Sequence, residues 1–448
     1  MHGRILMKIH TFQLRNFRKF EDYTFKFHPN FTVLIGDNAS GKSSVLDALA
    51  VMLGTYIPKY QDGVVRGGIK NKDARLRIFE KYDQVTLEQQ KPTFLNAQGT
   101  LHGNDLEWKR KLGDRGKDAR NLTLIGEKDF TAVSNGEDVD LPILLYYGTG
   151  RLWDVHRKVP IGKPESRMDG YRNCLDPKSD HNLFEKWFSQ LELSALQKNK
   201  KIAVLEAVRE ATKMCIPGAK RFYYDVANGA LMIELEDDGY CLFDNLSDGY
   251  RNMVAMVADI AHRAARLNLH MGANAATKCS GVVLIDEIDL HLHPKWQRHV
   301  VGDLQKAFPK IQFIVTTHSP FILQSLDQGE VIDLNEISDE STISSNQKIA
   351  EPSPKGEYSN KSIEDISEDI MGVEMPQLSR RYQDMHSAAI EYYQLLQDAK
   401  DSDPQKKEEL KRKLDELSAP FSDNQAYHAF LEMERMAAGL GKSKKEHK

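Results

Sequence analysis

Apolar and polar residues alternate through the first part of the chain in a way that predicts three strands. The apolar positions are Ile9, Phe12 and Leu14, then Tyr23, Phe25 and Phe27, then Phe31, Val33 and Ile35. The basic stretch "RNFRKFED" separates the first two groups, as a turn would. Alternation with a period of two is typical of half-buried strands. We therefore expect two strands joined by a basic turn, then a buried strand, and after it a helix from Ser43 to about Leu53.

The middle of the chain has a mixed pattern. Between about 74 and 145, Gly, Asn and Asp separate the β-type runs "RLRIFEKY", "QVTLEQQ", "AQGTLHGNDLEWKRK" and "LPILLYYG", which together predict an antiparallel sheet. Residues 181–213 have helical spacing. The following stretch, "RFYYDVANGALMIELEDDGYCLFDNL", predicts hairpins that turn at Asn228-Gly229 and Asp238-Gly239. The insert at about 54–245 has no sustained heptads, so it is not a long coiled-coil arm.

Two largely apolar runs in the second half predict neighbouring strands of a parallel sheet. They are "GVVLI" in "GVVLIDE" and "IQFIV" in "IQFIVTTHS", and a predicted helix at 297–308 separates them. A longer amphipathic helix is expected at about 248–268. The composition becomes polar after Leu334, which predicts a linker or loop at 336–360. Residues 361–448 are charged and helical in pattern, and we expect this region to dock a partner.

Composition limits the class of protein. The 448 residues carry a net charge of -4, so no global field draws the chain to nucleic acid or to an anionic membrane. The four cysteines lie far apart, without a CxxC pair, which favours free thiols in a reducing compartment. The basic N-terminus lacks the apolar core of a signal peptide, and Met7 is an alternative start. With no apolar stretch long enough to span a membrane, we expect a cytoplasmic protein.

The loop after the third strand carries the chemistry of a phosphate site. "GDNASGKS", residues 36–43, fits G-x-x-x-x-G-K-[ST] between a strand and a helix. Its glycines let backbone N–H groups face phosphate oxygens, Lys42 reaches the terminal phosphates, and the Ser43 hydroxyl ligates Mg²⁺. An accidental match in a glycine-containing turn is the alternative. The residues expected to bind nucleotide are Gly36, Asn38, Ser40, Gly41, Lys42, Ser43 and Ser44.

Acidic residues follow the first buried strand of the second half. In "VVLIDEID", residues 282–289, Asp286 is placed to hold Mg²⁺ through water, and Glu287 is placed to orient or deprotonate the attacking water. An ordinary strand-to-turn transition is the simpler alternative. His318 follows the other buried strand. Carboxyl ends of parallel strands share one edge, so His318 is expected to hydrogen-bond the γ-phosphate or the attacking water, although a lone His there is more often structural.

A capped helix start supplies another predicted anion site. In "NLSDGYRNM", residues 245–253, we expect Ser247 to cap the long amphipathic helix and Gly249 to allow close approach. The simpler interpretation is a capped helix and nothing more. The more specific hypothesis is that Ser247 and Gly249 bind a phosphate held by a second subunit.

Taken in chain order, these motifs resemble a known family. The P-loop, "LSDGYR", "LIDEID" with "LHLHP", and "TTHSP" resemble the ABC-type ATPases of the SMC/RecF/OLD group over residues 7–335. The resemblance implies an α/β fold: an ABC-type P-loop NTPase head, residues 1–335, with an antiparallel β subdomain and a helical insert, followed by a helical C-terminal region. It also implies ATP and Mg²⁺ as ligands and a head-to-tail homodimer or higher homo-oligomer. "LSDGY" departs from that family's "LSGGQ", and a Q-loop glutamine has no clear counterpart because the strand leads into "YYGTGR".

Finer details narrow the resemblance. "NFRKFEDYTFKF", "YYGTGRLW" and "LSDGYRNMVAMVADIAHR" resemble the compact ATPases of bacterial anti-phage operons, the Septu-type and retron-associated ATPases. Such ATPases work with an HNH-type nuclease, so we expect a separate nuclease or other effector, nucleic-acid contact through that partner, and no membrane.

Rival hypotheses stay open at this point. One is a RecF-like repair ATPase that binds DNA in an ATP-dependent way, and another is a scaffold that binds ATP without turnover. The basic stretch at 107–120 fits a solvated hairpin better than a DNA-backbone patch. A zinc site at His291 and His293 is disfavoured because no third ligand has suitable spacing.

Overall fold

The computed structural model describes most of the chain as two units, one up to Ile363 and the other from Glu364. The predicted boundary at 335/336 stays a prediction. The described residues are 7–58, 68–81, 84–114, 117–151, 166–177, 181–216, 218–236, 239–335, 348–352, 358–373, 376–377, 379–400 and 404–439.

The strands of the described residues all belong to the first unit. In chain order they are β1 (Lys8–Phe17), β2 (Phe20–Lys26), β3 (Phe31–Ile35), β4 (Leu76–Lys81), β5 (Gln84–Gln89), β6 (Phe94–Leu101), β7 (Asn104–Lys111), β8 (Ile143–Tyr147), β9 (Ala219–Asp225), β10 (Ala230–Leu235), β11 (Tyr240–Leu242), β12 (Gly281–Ile285), β13 (Ile311–Thr316), β14 (Val331–Asp333) and β15 (Lys348–Ala350).

The helices are distributed over both units. They are α1 (Lys42–Leu53), α2 (Arg120–Ser134), α3 (His181–Lys198), α4 (Ala203–Cys215), α5 (Asp248–Leu267), α6 (Ala275–Lys278), α7 (Pro294–Gln297), α8 (Val300–Ala307), α9 (Pro320–Leu323), α10 (Ile363–Asp369), α11 (Arg380–Lys400), α12 (Pro404–Ser418) and α13 (Gln425–Ala437). None of the described helices combines the length and apolar character that a membrane crossing requires.

A five-stranded parallel sheet forms the centre of the first unit. Its spatial order is β14-β3-β13-β12-β8, and each neighbouring pair is parallel. Every residue of β3, β8, β12 and β13 is buried, as expected for strands covered on both faces. α1 packs against β13, β12 and β8, while α5 packs against β8. The prediction that "LPILLYYG" joins an antiparallel sheet is wrong, because β8 is the parallel edge strand beside β12.

The predicted antiparallel sheet forms, but it contains fewer of the predicted β-type runs. Its order is β15-β2-β1-β6-β7, so the β6–β7 hairpin extends the predicted β1–β2 pair. β4 and β5 pair only with each other. The Gln312 side chain of β13 joins the two large sheets: it is fully buried, accepts from the Ile9 N–H at 2.8 Å, and donates to the carbonyls of Ile9 at 2.8 Å and His28 at 3.0 Å.

Two elements of the insert differ from the prediction. Residues 120–134, expected among β-type runs, form α2. In the stretch 107–120, the hairpin prediction holds for residues 107–111, which form the end of β7 in the β6–β7 hairpin. The later part differs: after a short 3₁₀ turn at Lys117–Ala119 the chain enters α2, with an ion pair of 2.7 Å between Lys111 and Asp118. Helices α3 and α4 and the antiparallel order β11-β10-β9 agree with the predicted helices and hairpins. The predicted turn residue Asp238 lies outside the described residues.

The C-terminal unit is helical, as predicted. α11, α12 and α13 enclose a small core of Tyr392, Leu396, Leu410, Leu414 and Leu431. In the predicted linker, 348–350 form β15, which pairs in parallel with β2, whereas 336–347 and 353–357 lie outside the described residues. The predicted fold class, an α/β P-loop head with an antiparallel subdomain, a helical insert and a helical C-terminal region, is confirmed.

Candidate nucleotide-binding site

The P-loop connects the buried strand β3 to helix α1. Three of its residues have positive φ, namely Gly36 at 133°, Ala39 at 65° and Gly41 at 103°. Gly41 is the N-cap residue of α1, and no side chain caps the helix there. The first-turn N–H groups of a helix have no partners within the helix, and its dipole favours an anion. The loop therefore presents an uncapped helix start that suits a phosphate.

Two side chains of the loop fit a phosphate group. Lys42 is 7% exposed, and its ammonium donates to the carbonyls of Gly36 at 2.7 Å and Asp37 at 2.9 Å. The Ser40 hydroxyl is buried and has no hydrogen-bond partner among the described residues. A buried hydroxyl without a partner costs free energy, and a phosphate oxygen would accept its hydrogen bond. Ser43 and Asn38 are exposed beside these groups, so their oxygens are accessible to an ion or a nucleotide.

A basic turn that the sequence showed only as a connection lies against this loop. Lys19, between β1 and β2, donates to the carbonyl of Ala39 at 3.0 Å. The neighbouring Arg18 donates to Asp47 at 2.9 Å and to the Ser44 hydroxyl at 3.3 Å, both on α1. Burial lowers the pKa of Lys19. The site therefore has a second ammonium group, and the basic character of the turn was the only signal for it in the sequence.

The acidic residues predicted for metal binding and hydrolysis follow β12 directly. Asp286 is 6% exposed, and its Oδ1 accepts from the Thr316 hydroxyl at 2.7 Å. That hydroxyl also accepts from the Glu287 N–H at 2.7 Å. Glu287 itself has φ 50°, a left-handed conformation that a side chain rarely adopts without support. Thr316, at the end of the adjacent strand β13, thus fixes the backbone that carries both carboxylates.

An arginine holds the same turn from its other side. Arg151, 4% exposed, donates to the carbonyls of Asp286 at 2.7 Å and Glu287 at 2.8 Å. It comes from "YYGTGR" after β8, where the sequence showed no Q-loop glutamine. Burial lowers its pKa to about 10, against the opposing effect of nearby acidic groups. Sequence analysis did not identify Arg151 as a functional residue.

The strand order brings the predicted groups to one edge of the sheet. β3, β13 and β12 are adjacent and parallel, so the P-loop, His318 and the Asp286–Glu287 turn all follow carboxyl ends at that edge. Burial lowers the pKa of Lys42, and the charges of Asp286, Asp37 and Glu287 oppose that shift while the charge of Lys19 adds to it. His318 is exposed, two residues after β13. These residues fit Mg²⁺, which prefers carboxylate, hydroxyl and phosphate oxygens.

The start of α5 differs in detail from the prediction. Ser247 is the N-cap residue, but its hydroxyl makes no capping hydrogen bond, so the predicted cap is wrong and the exposed hydroxyl is available. Gly249 does permit a close approach, but to the protein's own backbone: a Cβ there would lie 2.2 Å from the carbonyl oxygen of His291. Asp248 pairs with Arg251 at 2.7 Å. That Ser247 and Gly249 meet a nucleotide of a second copy stays a prediction.

Comparisons with known proteins found a family model and several relatives that match this chain. The model of a family described as "AAA domain, putative AbiEii toxin, Type IV TA system" matches residues 31–324. A "Retron Vc95 probable ATPase" from Vibrio cholerae serotype O1 biovar El Tor is 24% identical over 391 residues, 74% of each chain. A "Septu protein PtuA" from Bacillus mycoides is 27% identical over 423 residues, 93% of this chain and 50% of that protein. A solved SMC head domain from Thermotoga maritima aligns with 78% of this chain and 99% of that chain, at 15% identity and a TM-score of 0.38.

The matched region contains every predicted site residue from Gly36 to His318. The resemblance to retron-associated and Septu-type ATPases is confirmed, and so is the predicted class of enzyme, a P-loop ATPase. The chain belongs to the AAA-domain family whose description names a putative AbiEii toxin and a type IV TA system.

Proposed function

We propose that this chain binds and hydrolyses Mg-ATP, dimerises head-to-tail around the nucleotide, and thereby controls a partner effector, a nuclease, in bacterial anti-phage defence. One observation carries the catalytic part: β3, β13 and β12 are adjacent and parallel, so the P-loop and the Asp286–Glu287 turn follow strand ends at one edge of the sheet. Three predicted groups, Lys42, Asp286 and Glu287, thus come from two strand ends at that edge.

Each residue has a distinct role in this proposal. The ammonium groups of Lys42 and Lys19 bind phosphate oxygens, and the uncapped start of α1 adds N–H donors. The Ser43 hydroxyl and the Asp286 carboxylate hold Mg²⁺, which when bound neutralises charge that develops on the phosphates. Glu287 orients the attacking water and accepts its proton, and His318 hydrogen-bonds the γ-phosphate.

Glu287→Gln tests the catalytic role. It keeps the size of the side chain and its backbone bonds but removes the base, so we expect hydrolysis to slow by on the order of 10²–10⁴-fold while ATP affinity changes little. Glu107→Gln, the same chemical change on the exposed side of β7, is the control and should hydrolyse ATP normally. Phosphate release and equilibrium nucleotide binding measure the two effects. A Glu287→Gln protein that hydrolyses ATP at the wild-type rate would remove Glu287 from the mechanism.

The available hydroxyl of Ser247 supports the head-to-tail dimer. Because hydrolysis is slow in Glu287→Gln, ATP should hold that variant as a dimer, which light scattering would detect as a doubled mass. Adding Ser247→Glu places a negative charge at the start of α5, where the phosphate of the second copy is expected, so the dimer should be lost while ATP binding persists. A mass that ATP does not change would overturn the dimer but leave the catalytic roles intact.

The C-terminal unit is our candidate for partner docking. Large apolar side chains are exposed there, among them Ile390 at 49%, Phe430 at 48% and Met433 at 60%. The relatives named for retron and Septu systems support the defence setting. Co-expression with a candidate HNH-type nuclease should give a complex that Phe430→Glu with Met433→Glu disrupts, and Lys42→Ala should abolish phage protection. Stable co-purification of the double variant would exclude this surface.

A further inference from the structure

Arg151 makes an unusual set of contacts for a residue that follows a strand. Its guanidinium donates to three carbonyls, those of Gly148 at 3.1 Å, Asp286 at 2.7 Å and Glu287 at 2.8 Å. Its Nε donates to the Asn252 side chain at 2.7 Å. Burying a guanidinium is costly unless its donors are satisfied, and here one planar group contacts three separate segments of the chain. The contacts link the end of β8, the turn after β12, and α5.

The Glu287 backbone is held on both sides. Its N–H donates to Thr316 at 2.7 Å, and its carbonyl accepts from Arg151. A non-glycine residue with a left-handed conformation persists only where its surroundings fix it. Glu287 has φ 50°, and its carbonyl also accepts from the Leu290 N–H at 3.0 Å, so the Thr316 and Arg151 bonds contribute to the direction in which its carboxylate leaves the sheet edge. Without Arg151, the turn would keep the bonds that the Glu287 and Ile288 N–H groups donate to Thr316, but it would lose the guanidinium that donates to the successive carbonyls of Asp286 and Glu287.

The same arginine connects this turn to the helix that starts at Ser247. Asn252 lies in the second turn of α5, 4% exposed, and accepts from Arg151. Its amide also donates to the carbonyl of Leu290 at 3.2 Å. Gly249 packs against the carbonyl of His291 in the same segment. A shift of α5 therefore moves the partners of both Arg151 and the 286–292 segment.

We propose that Arg151 is a positioning residue: it holds Glu287 in its catalytic orientation and, through Asn252, makes that orientation depend on where α5 lies. This inference rests on the proposed function, because it assigns α5 the task of reporting that a second copy has closed on the nucleotide. In the proposed dimer, Ser247 of each copy contacts the nucleotide bound by the other copy. The link from α5 through Arg151 then raises the hydrolysis rate of a copy only when its own Ser247 has made that contact.

The test compares Arg151→Gln with Arg263→Gln. Arg263, on α5, is also 4% exposed. It pairs with Asp259 at 2.9 Å and donates to two carbonyls, Gly170 at 2.9 Å and Arg172 at 2.8 Å, so it controls for the loss of a buried guanidinium that does not contact the Glu287 turn. We expect Arg151→Gln to lower kcat about 10–100-fold, as a misplaced catalytic group does, with nucleotide Kd within about 3-fold. Arg263→Gln should lower the melting temperature similarly but keep kcat within about 3-fold. Equal kcat losses in the two variants would overturn the proposal.

A double-variant cycle separates positioning from general damage. If Arg151 acts through Glu287, adding Arg151→Gln to Glu287→Gln should slow hydrolysis less than about 2-fold further, since residues that act as a unit are not additive. A further loss as large as in the wild-type background would overturn the proposal. Asn252→Ala leaves the three carbonyl bonds of Arg151 in place and serves if Arg151→Gln does not fold. The proposed dimer predicts that specific activity rises with protein concentration. Asn252→Ala should abolish that rise, and an unchanged rise would overturn the link to α5.

The outcomes also separate this inference from the proposed function. Normal hydrolysis by Glu287→Gln would refute the proposed mechanism itself. A defective Glu287→Gln beside an Arg151→Gln protein with wild-type kcat would refute only the role of Arg151.

Discussion

Thr316→Val is the most direct probe of the turn that carries Asp286 and Glu287. The Thr316 side chain is fully buried at the end of β13. Its hydroxyl donates to Asp286 Oδ1 at 2.7 Å and accepts from the Glu287 N–H at 2.7 Å. Valine has nearly the same shape but no hydroxyl. The substitution therefore removes two hydrogen bonds without opening a cavity, and it leaves one carboxylate oxygen and one N–H without that partner.

The size of the effect follows from these two groups. A buried group that loses its hydrogen bond costs about 1–3 kcal/mol, so the two together should lower the free energy of unfolding by about 2–6 kcal/mol. At about 2 °C per kcal/mol for a large domain, the melting temperature should fall by roughly 4–12 °C. The freed Glu287 backbone no longer fixes its carboxylate, and a displacement of about 1 Å costs on the order of 10²-fold in rate.

Two matched variants make the measurement decisive. Thr316→Ser keeps the hydroxyl and loses a methyl group, so it should cost about 1 kcal/mol and retain kcat within about 3-fold. Thr32→Val removes another fully buried threonine hydroxyl from the same sheet, one that accepts only the His28 N–H at 2.9 Å, and should affect stability but not kcat. Thermal melts and steady-state phosphate release provide both readouts. If Thr316→Val hydrolyses ATP as fast as Thr316→Ser, this reasoning is refuted.

Two further predictions concern α5. Gly249→Ala places a Cβ 2.2 Å from the His291 carbonyl oxygen, so it should destabilise the protein by about 1–3 kcal/mol, whereas Gly302→Ala in α8, where nothing lies within 4 Å, should stabilise it by about 0.5 kcal/mol. Urea unfolding measures both, and a neutral Gly249→Ala would contradict the close contact. Burial lowers the pKa of His262 to about 4 from 6.5, so its contribution to stability is complete above pH 6.5 and is lost as pH falls toward 4. The loss should reach roughly 3 kcal/mol, and His262→Gln should flatten the stability profile in that window, whereas an unchanged profile would exclude His262 as its cause.

Some elements could be predicted because their signals are local in the sequence. They are the P-loop, both buried strands after residue 280 and the amphipathic helix. The glycine-bounded loop lies between a strand and a helix, and the largely apolar runs at β12 and β13 are each followed by polar residues. From these runs alone, Lys42 and Asp286 could be expected near one edge of the sheet, since parallel strands end at one edge. The strands that lead to them are parallel, with β13 between β3 and β12.

The remaining features depend on contacts that are distant along the chain. Five apolar residues such as those of β8 do not indicate which strand they will pair with or in which direction. Residues 120–134 contain a glycine and several β-branched residues, which masked α2. Arg151 donates to carbonyls more than 130 residues away, and backbone acceptors leave no trace in the sequence. The lack of a capping bond at Ser247 could not be predicted either, because it depends on the local conformation of that side chain and not on the residue type.

The strand order of the parallel sheet also has a consequence for biosynthesis. β3, which leads into the P-loop, pairs with β13 on one side and β14 on the other, and both are made long after it. At 5–20 residues per second, a ribosome needs roughly 15–55 s to add the roughly 280 residues between β3 and the end of β13. During that time Phe31–Ile35 is an apolar strand without neighbours. A nascent chain that stalls before β13 is made therefore leaves this apolar segment exposed to aggregation, and a chaperone would protect it.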